Sequence, residues 1–173
     1  MSKKNIAVLG AGKMGLGIAQ LFATKGHQVK VIYVYDDKIR CDAAAVVRSN
    51  LSVLVENDVM TQQEADDAAA RISFVDTIEE VADFADIVFE GIIEKLEIKQ
   101  DYFAKMDAIF PVSTILATNT SAISITEIAE KSVHKERIIG THYWNPAYLV
   151  PLVEVIKTKY VSDETVQGYL RSS

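Results

Sequence analysis

Three glycines near the amino terminus lie between a β-branched run and a stretch with helical periodicity. In NIAVLGAGKMGLG, Gly10, Gly12 and Gly15 have the spacing G-x-G-x-x-G, and a second β-branched run, QVKVIYV, follows. In a βαβ unit the first glycine permits a tight turn, the second lets backbone approach a pyrophosphate, and the third lets helix and strand pack closely. We therefore predict a dinucleotide site at the helix start. The alternative is a glycine turn that serves packing alone.

The rest of the chain continues to alternate between short β-branched runs and longer helical stretches. This order is typical of a Rossmann-type, doubly wound α/β fold with a mostly parallel sheet. Capping boxes are predicted at Thr61 with Glu64 and at Ser124 with Glu127. The predicted strands are NIAVL, QVKVIYV, RISFV, DIVFE, TILAT, RIIGTHY and LVEVI. The predicted helices cover about 13–25, 38–70 with a break, 77–83, 94–109 and 124–130, and a last one begins near Ser162.

Charge and cysteine content exclude several classes of partner. The chain has 18 basic and 24 acidic residues, a net charge of −6, and no basic run, so we expect no nucleic acid partner. Cys41 is the single cysteine, and the three histidines show no ligand spacing with it, so we predict neither a disulfide nor a metal site. The amino-terminal apolar stretch is too short for a signal peptide or membrane span, and we expect a cytoplasmic protein.

The end of the second strand departs from the dinucleotide-binding fingerprint. An acid is expected there, about 20 residues past the glycines, to bind the adenosine ribose hydroxyls. Tyr33 stands 18 residues past Gly15, and Asp36 and Asp37 come later. Either a shifted loop brings Asp36 to the ribose, or Tyr33 leaves the ribose less constrained, or both aspartates cap the next helix. No Arg directly follows the strand to favour a 2′-phosphate, so we predict NAD rather than NADP.

Four polar clusters occur at predicted strands: FEGIIEKLEIK, TNTS, THYWNP and LVEV. Singly, each has an ordinary explanation: Glu94 and Lys99 as a solvated helix start, TNTS as a helix-capping loop, His142 as a satisfied strand-end histidine, and Glu154 as a water-facing strand residue. Ligands of open α/β sheets bind at the carboxyl ends of the strands. Together, behind a nucleotide-binding turn, the clusters therefore predict a site.

The order of these motifs resembles the N-terminal, nucleotide-binding domain of the 3-hydroxyacyl-CoA dehydrogenase family. The segment YVYDDKIRCDAAAVVRSN departs from that family, which usually has its ribose acid and then a helix there. The segments that match cover nearly all of the chain and are GAGKMGLGIAQ, ADIVFEGIIEKLEIKQDYFAKMD, ATNTSAISITEIA, RIIGTHYWNP and PLVEVI followed by SDETV. The resemblance implies an NAD-dependent oxidoreductase of fatty acid metabolism.

The resemblance also implies a second, mostly helical domain that supplies homodimer contacts, closes over an acyl-CoA and contributes an Asn to the active site. The last predicted helix, in SDETVQGYLRSS, ends about two turns after it begins. We therefore expect residues 1–173 to be one NAD-binding domain, truncated near its carboxyl end. We also expect this chain alone to bind NAD weakly and to turn over slowly or not at all.

The resemblance assigns roles residue by residue. His142 would be the catalytic base, Glu154 the carboxylate that orients and supports it, and Ser121 the hydroxyl near the reacting oxygen. The predicted cofactor-binding residues are Gly10, Gly12, Met14, Gly15, Tyr33, Asp36, Glu94, Lys99, Asn119 and Asn145, and Glu94, Lys99, Asn119 and Asn145 match family positions around the nicotinamide.

These roles agree with the chemistry of alcohol oxidation. The hydroxyl proton must leave as hydride departs, so a base with a pKa near 7 is wanted, and histidine supplies one. A buried Glu154 holding one ring nitrogen would fix the tautomer and stabilise the imidazolium, while Ser121 would hydrogen-bond the same oxygen. A Ser–His–Glu set could instead indicate a hydrolase, but no G-x-S-x-G elbow surrounds Ser121.

Three substrate hypotheses stay open. A (3S)-3-hydroxyacyl-CoA is the first. WNPAYLVPLVEV differs from the commoner FNPVPVMPLVEV pattern and is similar to branches that oxidise free 3-hydroxy acids such as gulonate or carnitine, and to a related lens crystallin. A free 3-hydroxy acid is therefore the second hypothesis, and a non-catalytic NAD-binding or structural module is the third.

Overall fold

Seven apolar runs of the sequence form the strands of one sheet. The computed structural model describes residues 3–34, 37–150 and 152–171. Each of the seven predicted strands is found, with boundaries within a few residues of those expected. The strands are β1 (Asn5–Leu9), β2 (Gln28–Ile32), β3 (Ile72–Val75), β4 (Ile87–Glu90), β5 (Ile115–Thr118), β6 (Ile138–Tyr143) and β7 (Val153–Ile156).

The strand order places the predicted ligand-binding edge. Along the sheet the order is β3-β2-β1-β4-β5-β6-β7, with β7 antiparallel to β6 and every other neighbouring pair parallel. The connections run in opposite directions from β1 and from β4, so the crevice outside the carboxyl ends of these two strands is the topological switch point. The predicted Rossmann-type, mostly parallel sheet is confirmed.

Six α-helices cover both faces of this sheet within the described residues, and the helices predicted over 77–83 and 124–130 differ from expectation. They are α1 (Lys13–Thr24), α2 (Asp37–Glu56), α3 (Gln62–Ala70), α4 (Leu96–Ile109), α5 (Ile125–Ile128) and α6 (Asp163–Leu170). The helix predicted over 77–83 is only a 3₁₀ turn at Glu79–Val81, which must lead into β4 within a few residues. A further 3₁₀ turn, Ala129–Lys131, continues α5.

One predicted capping box is confirmed and the other is wrong. At the start of α3 the Thr61 hydroxyl accepts the Glu64 amide at 3.2 Å, and the Glu64 carboxylate accepts the Thr61 amide at 2.8 Å. Ser124 precedes α5, but its hydroxyl accepts no amide from the described residues. The amide of Glu127, which such a hydroxyl would accept, already donates to the Ser124 carbonyl at 3.0 Å because the helix is a single tight turn.

Residues of the strands alternate between two apolar layers. Ile6 and Val8 of β1 face the layer that contains α1 and α6, whereas Ala7 and Leu9 face the layer that contains α4 and α5. Burying one large apolar side chain of this kind contributes about 1.5–3 kcal/mol, so both faces of the sheet require a helical cover. The two layers hold the carboxyl ends of β1, β4, β5 and β6 in a common row.

A buried tyrosine pair joins α6 to β6. The hydroxyls of Tyr143 and Tyr169 lie 2.9 Å apart, and both rings meet Phe89 edge-on. Burial raises the pKa of Tyr143 above its usual range and that of Tyr169 to about 12. Tyr143 follows His142 in the chain, so this contact anchors the end of the strand that carries the histidine.

His27 joins the amino terminus to the end of α1. Its ring is buried, stands edge-on to Phe22 at 5.5 Å, and accepts the Lys4 amide at Nδ1 at 2.9 Å. Burial lowers the pKa of His27, and the positive charges of Lys25 and Lys3 act in the same direction. The native fold therefore favours the neutral ring.

The free energy of unfolding is expected to fall as the pH drops below 6.5, the ordinary pKa of this histidine. The unfolded chain binds the proton more readily than the folded chain, so His27 contributes its full stability above that pH and loses it as the pH falls towards the lowered native pKa. Urea unfolding at about pH 7.5 and about pH 5.5 measures the change, and His27→Gln should show a smaller one. An equal loss in both proteins would contradict this expectation.

Candidate active site

The glycine turn leaves room for a dinucleotide at the start of α1. Gly10 has a φ of +105°, and a Cβ on Gly15 would lie 1.9 Å from the Gly10 carbonyl oxygen, so both positions require glycine. A Cβ on Gly12, the residue before α1, would meet none of the described atoms within 4 Å. The first turn of α1 carries no acidic residue, which leaves its amides and dipole suited to phosphate. The turn therefore fits the pyrophosphate of a dinucleotide.

Four further cofactor positions were predicted: Met14, Tyr33, Asp36 and Asn145. Met14 lies in the first turn of α1 and is partly buried against the core. Tyr33 directly follows β2, where the fingerprint expects its acid, and its ring stacks on Phe74 at 5.4 Å. Asp36 lies outside the described residues, and Asn145 is exposed in the loop after β6. The contacts of these residues with a cofactor stay predictions.

Ser121, His142 and Glu154 form one hydrogen-bonded line. The register of β6 and β7 sets His142 opposite Glu154, and the ring Nδ1 lies 2.6 Å from the Glu154 Oε2. The Nε2 atom lies 3.0 Å from the Oγ of Ser121, which belongs to the turn after β5. Ser121 and His142 are 21 residues apart in the sequence, and His142 and Glu154 are 12 apart. The sheet therefore brings three distant side chains into direct contact.

The predicted burial of Glu154 is wrong. Its side chain is 51% exposed, whereas that of His142 is 24% exposed. The sheet ends at β7, and this edge strand alternates: Val153 and Val155 pack against the core beside α1, while Glu154 points the other way. The apolar neighbours of Glu154 therefore reflect strand alternation, and its carboxylate contacts His142 from a partly exposed position.

Asn119 connects three strands beside the histidine. Its backbone amide donates to the Glu90 carbonyl at 2.9 Å, and its side-chain oxygen accepts the Tyr143 amide at 2.9 Å. Asn119 thereby ties the end of β5 to β4 and to β6. Its predicted contact with the nicotinamide is a separate matter and stays a prediction.

Glu94 holds the turn that carries Ser121. One carboxylate oxygen accepts the hydroxyl of Thr120 and the amide of Ser121, the latter at 3.1 Å, and the other lies 3.2 Å from the Lys99 ammonium. Partial burial opposes ionisation, but the hydrogen bond from Thr120 and the charge of Lys99 outweigh it and hold the pKa of Glu94 below its ordinary value. Glu94 is therefore an ionised acceptor in direct contact with the backbone of Ser121.

Lys99 is buried and is therefore not part of a solvated helix start, which was the ordinary explanation for it. None of its side chain is exposed, so it contacts Glu94 and Glu90 rather than the open crevice. Its predicted place around the nicotinamide stays a prediction.

Sequence reasoning missed Glu90, although it lies within the FEGIIEKLEIK cluster. Its carboxylate is fully buried and accepts the Lys99 ammonium, the Thr118 hydroxyl at 2.6 Å and the Ile92 amide at 2.7 Å. Burial raises the pKa of Glu90, against the opposing charge of Lys99. A charged residue at the end of the apolar run IVFE, nine residues before a lysine, was the available signal.

Within residues 3–34, 37–150 and 152–171, no three His, Cys, Asp or Glu side chains group closely enough to hold a metal ion. In the same part of the chain, no helix has both the length and the apolar composition needed to cross a membrane.

A Rossmann-type sheet with a glycine turn at its switch point defines a dinucleotide-binding domain. The family model of the 3-hydroxyacyl-CoA dehydrogenase NAD-binding domain matches residues 5–172, and the chain belongs to this family. The resemblance drawn from the motifs is therefore confirmed, and so is NAD as the predicted cofactor.

Individual relatives agree with this family. The probable 3-hydroxybutyryl-CoA dehydrogenase of Bacillus subtilis is 41% identical over 95% of this chain and 57% of its own length. The mitochondrial hydroxyacyl-coenzyme A dehydrogenase of Sus scrofa is 32% identical over 95% of this chain and 54% of its own length. The chain thus spans about half the length of these curated relatives.

Solved structures show the same fold. The crystal structure of 3-hydroxybutyryl-CoA dehydrogenase from Escherichia coli K12 superposes with a TM-score of 0.92 at 34% identity, over 99% of this chain and 36% of that chain. The (S)-3-hydroxybutyryl-CoA dehydrogenase PaaH1 from Ralstonia eutropha has a TM-score of 0.91 at 32% identity, over 99% of this chain and 61% of that chain.

Proposed function

We propose that this chain is the nucleotide-binding part of an NAD-dependent 3-hydroxyacyl-CoA dehydrogenase, which transfers hydride between C3 of a (3S)-3-hydroxyacyl-CoA and the nicotinamide. The observation that carries the proposal is the line from Ser121 through His142 to Glu154, at the sheet edge that also carries the glycine turn. The names of relatives that are dehydrogenases of 3-hydroxybutyryl-CoA and 3-hydroxyadipyl-CoA support it.

His142 would move the proton of the substrate hydroxyl. With Nδ1 donating to the Glu154 carboxylate, the lone pair of Nε2 faces Ser121 and is available to accept a proton. Glu154 would stabilise the imidazolium that results, and the Ser121 hydroxyl would donate to the substrate oxygen as negative charge develops on it. NAD, when bound, supplies the hydride acceptor.

The Ser–His–Glu order is also that of a hydrolase triad. Membership of a dehydrogenase family and the glycine turn favour hydride transfer instead. The Ser121 amide already donates to Glu94, so it does not serve as a donor to an oxyanion. The developing negative charge would therefore be stabilised mainly by His142 and by the Ser121 hydroxyl. This arrangement is suited to an alkoxide that loses its charge as hydride departs.

Residues 1–173 would form one domain of a larger enzyme. The acyl-CoA site, the homodimer contacts and a further Asn would come from a second, mostly helical domain, as the resemblance implies. We therefore propose that the chain by itself binds NADH and is poorly active, with a slow but measurable turnover.

A free hydroxy acid is the second candidate substrate. The solved structure of 5-formyl-3-hydroxy-2-methylpyridine 4-carboxylic acid 5-dehydrogenase, described as an NAD⁺-dependent dismutase, is 29% identical with a TM-score of 0.85, over 99% of this chain and 54% of that chain. The compound in its name is a free acid. Trp144, in the divergent WNPAYLVPLVEV segment, is 48% exposed and 6.1 Å from the His142 ring, so it could shape either substrate pocket.

NADH and NADPH fluorescence titrations, followed by NADH oxidation with acetoacetyl-CoA and with acetoacetate, test the proposal. We expect tighter binding of NADH than of NADPH and measurable oxidation only with the thioester. Faster oxidation with acetoacetate would favour the free-acid hypothesis. Binding of NADH without turnover of either compound would favour a non-catalytic module, and failure to bind NADH would contradict the proposal itself.

A further inference from the structure

A buried ionic network lies directly behind the Ser121 turn. The ammonium of Lys99 lies 2.7 and 2.9 Å from the two oxygens of Glu90 and 3.2 Å from an oxygen of Glu94. An ammonium has three N–H donors, so these three contacts satisfy it completely. The network therefore has a defined geometry, in which moving one member requires moving the others.

Glu90 occupies the central position of the sheet. It is the last residue of β4, opposite Leu9 of β1 on one side and Thr118 of β5 on the other. Its carboxylate accepts donors from β5, from the loop after β4 and from α4. One side chain thus connects three chain segments at the switch point.

The same carboxylate acts on both halves of the predicted site. On one side, Lys99 and Glu94 extend the network to the Ser121 amide. On the other side, the bond from the Ile92 amide fixes the loop whose Gly91 carbonyl packs against the glycine turn, 2.9 Å from where a Cβ of Gly10 would lie.

A contribution to fold stability does not by itself explain why the Glu90–Lys99 ion pair is buried. Two charges lose their hydration on burial, and apolar residues of similar volume often stabilise a fold equally well. A buried network that spans three segments does restrict their relative positions, which an apolar contact would restrict less. Glu90 belongs to a network that reaches the Ser121 amide through Lys99 and Glu94, and this location points to a role in the site.

We propose that Glu90 is a positioning residue, whose buried carboxylate holds Lys99 and, through Glu94, the turn that presents Ser121 to His142. This inference rests on the proposed function for its effect on turnover. Its effect on the turn is independent of that function.

A second buried ion pair offers a matched control. Asp107 and Arg137 form an ion pair at 2.7 Å, and both side chains are 3% exposed. This pair joins the end of α4 to the start of β6. It lies at the amino end of β6, whereas Ser121 lies at the carboxyl end of the neighbouring strand β5. Asp107→Asn therefore removes a comparable buried charge without touching the network of Glu90.

The test compares Glu90→Gln with Asp107→Asn by two readouts. The first is the pair of amide ¹H–¹⁵N resonances of Ser121 and Ala122, because both amides donate to Glu94, at 3.1 and 3.4 Å, and the measurement needs no enzymatic activity. The second is turnover with acetoacetyl-CoA, measured below the melting temperature of each variant. We expect Glu90→Gln to shift both resonances and to lower kcat by about tenfold or more with a smaller change in KM, whereas Asp107→Asn should do neither.

Unshifted resonances in Glu90→Gln, or equal shifts in Asp107→Asn, would overturn the proposal. If the parent chain shows no turnover, the proposed function fails on that point, and the resonances still decide the role of Glu90. If Glu90→Gln does not fold, Thr118→Val takes its place, because it removes the donor at 2.6 Å and keeps every charge. We expect Thr118→Val to shift the same resonances by less than Glu90→Gln would. The absence of any shift would contradict the positioning role proposed for Glu90.

Discussion

Replacing His142 with glutamine is expected to lower turnover with acetoacetyl-CoA by about 100- to 10,000-fold, the usual contribution of a general acid or base. Glutamine keeps much of the size and hydrogen-bonding capacity of the ring but cannot accept and release the proton. The two hydrogen-bonding partners of the ring, Ser121 and Glu154, do not belong to the glycine turn, so NADH affinity should change little. Steady-state kinetics and fluorescence titration on the same preparations measure both quantities.

His134→Gln is the matched control for this substitution. His134 is 40% exposed and lies 3.3 Å from Asp107, in the loop that precedes β6 rather than at its carboxyl end. The His134→Gln variant should keep the turnover of the parent chain. Loss of activity in both variants, or in neither, would contradict the role proposed for His142.

Replacing Gly15 with alanine is expected to destabilise the fold by about 3 kcal/mol or more, at the upper end of the cost of overpacking. The new Cβ would lie 1.9 Å from the Gly10 carbonyl oxygen, which is backbone and cannot turn aside as a flexible side chain could. The start of α1 would have to move away from β1, so NADH binding should be lost as well. Urea unfolding and NADH titration check the two effects.

Gly12→Ala separates packing from binding. Its Cβ would meet none of the described atoms within 4 Å, and only the weaker helix-capping tendency of alanine, under about 1 kcal/mol, should affect stability. The methyl group would stand where a pyrophosphate must approach the backbone, so NADH affinity should fall by about tenfold or more. A stable Gly15→Ala protein, or a Gly12→Ala protein with parental affinity, would show that the turn is used differently.

Much of the fold could be predicted because its signals are local. The apolar runs and the glycine spacing depend on neighbours in the chain, so all seven strands and the turn at α1 were found in the sequence. The Thr61 box is local in the same way. The Ser124 box failed because α5 lasts a single turn, and the helix predicted over 77–83 failed because β4 follows too closely. Periodicity carries little information about helices this short.

The candidate site was predicted less evenly. The resemblance singled out Ser121, His142 and Glu154, and the structure brings them together. Glu90 escaped notice because a single acid at the end of an apolar run gives no sign of the lysine that will neutralise it. The error over Glu154 has a similar origin. Apolar residues flank a polar residue both in a fully buried strand and in an edge strand that packs one face against the core, so the sequence does not distinguish the two.

By itself, the sequence determined the fold class, the glycine turn and the order of the polar clusters along the chain, since each depends on short-range periodicity and backbone stereochemistry. The tertiary structure alone decided which face of β7 meets water, which lysine enters the core, and that His142 lies between Ser121 and Glu154 at hydrogen-bonding distance. Those features depend on strand register and on neighbours distant in the chain. Burial and charge pairing are properties of the space around a side chain, and that space exists only once the sheet has formed.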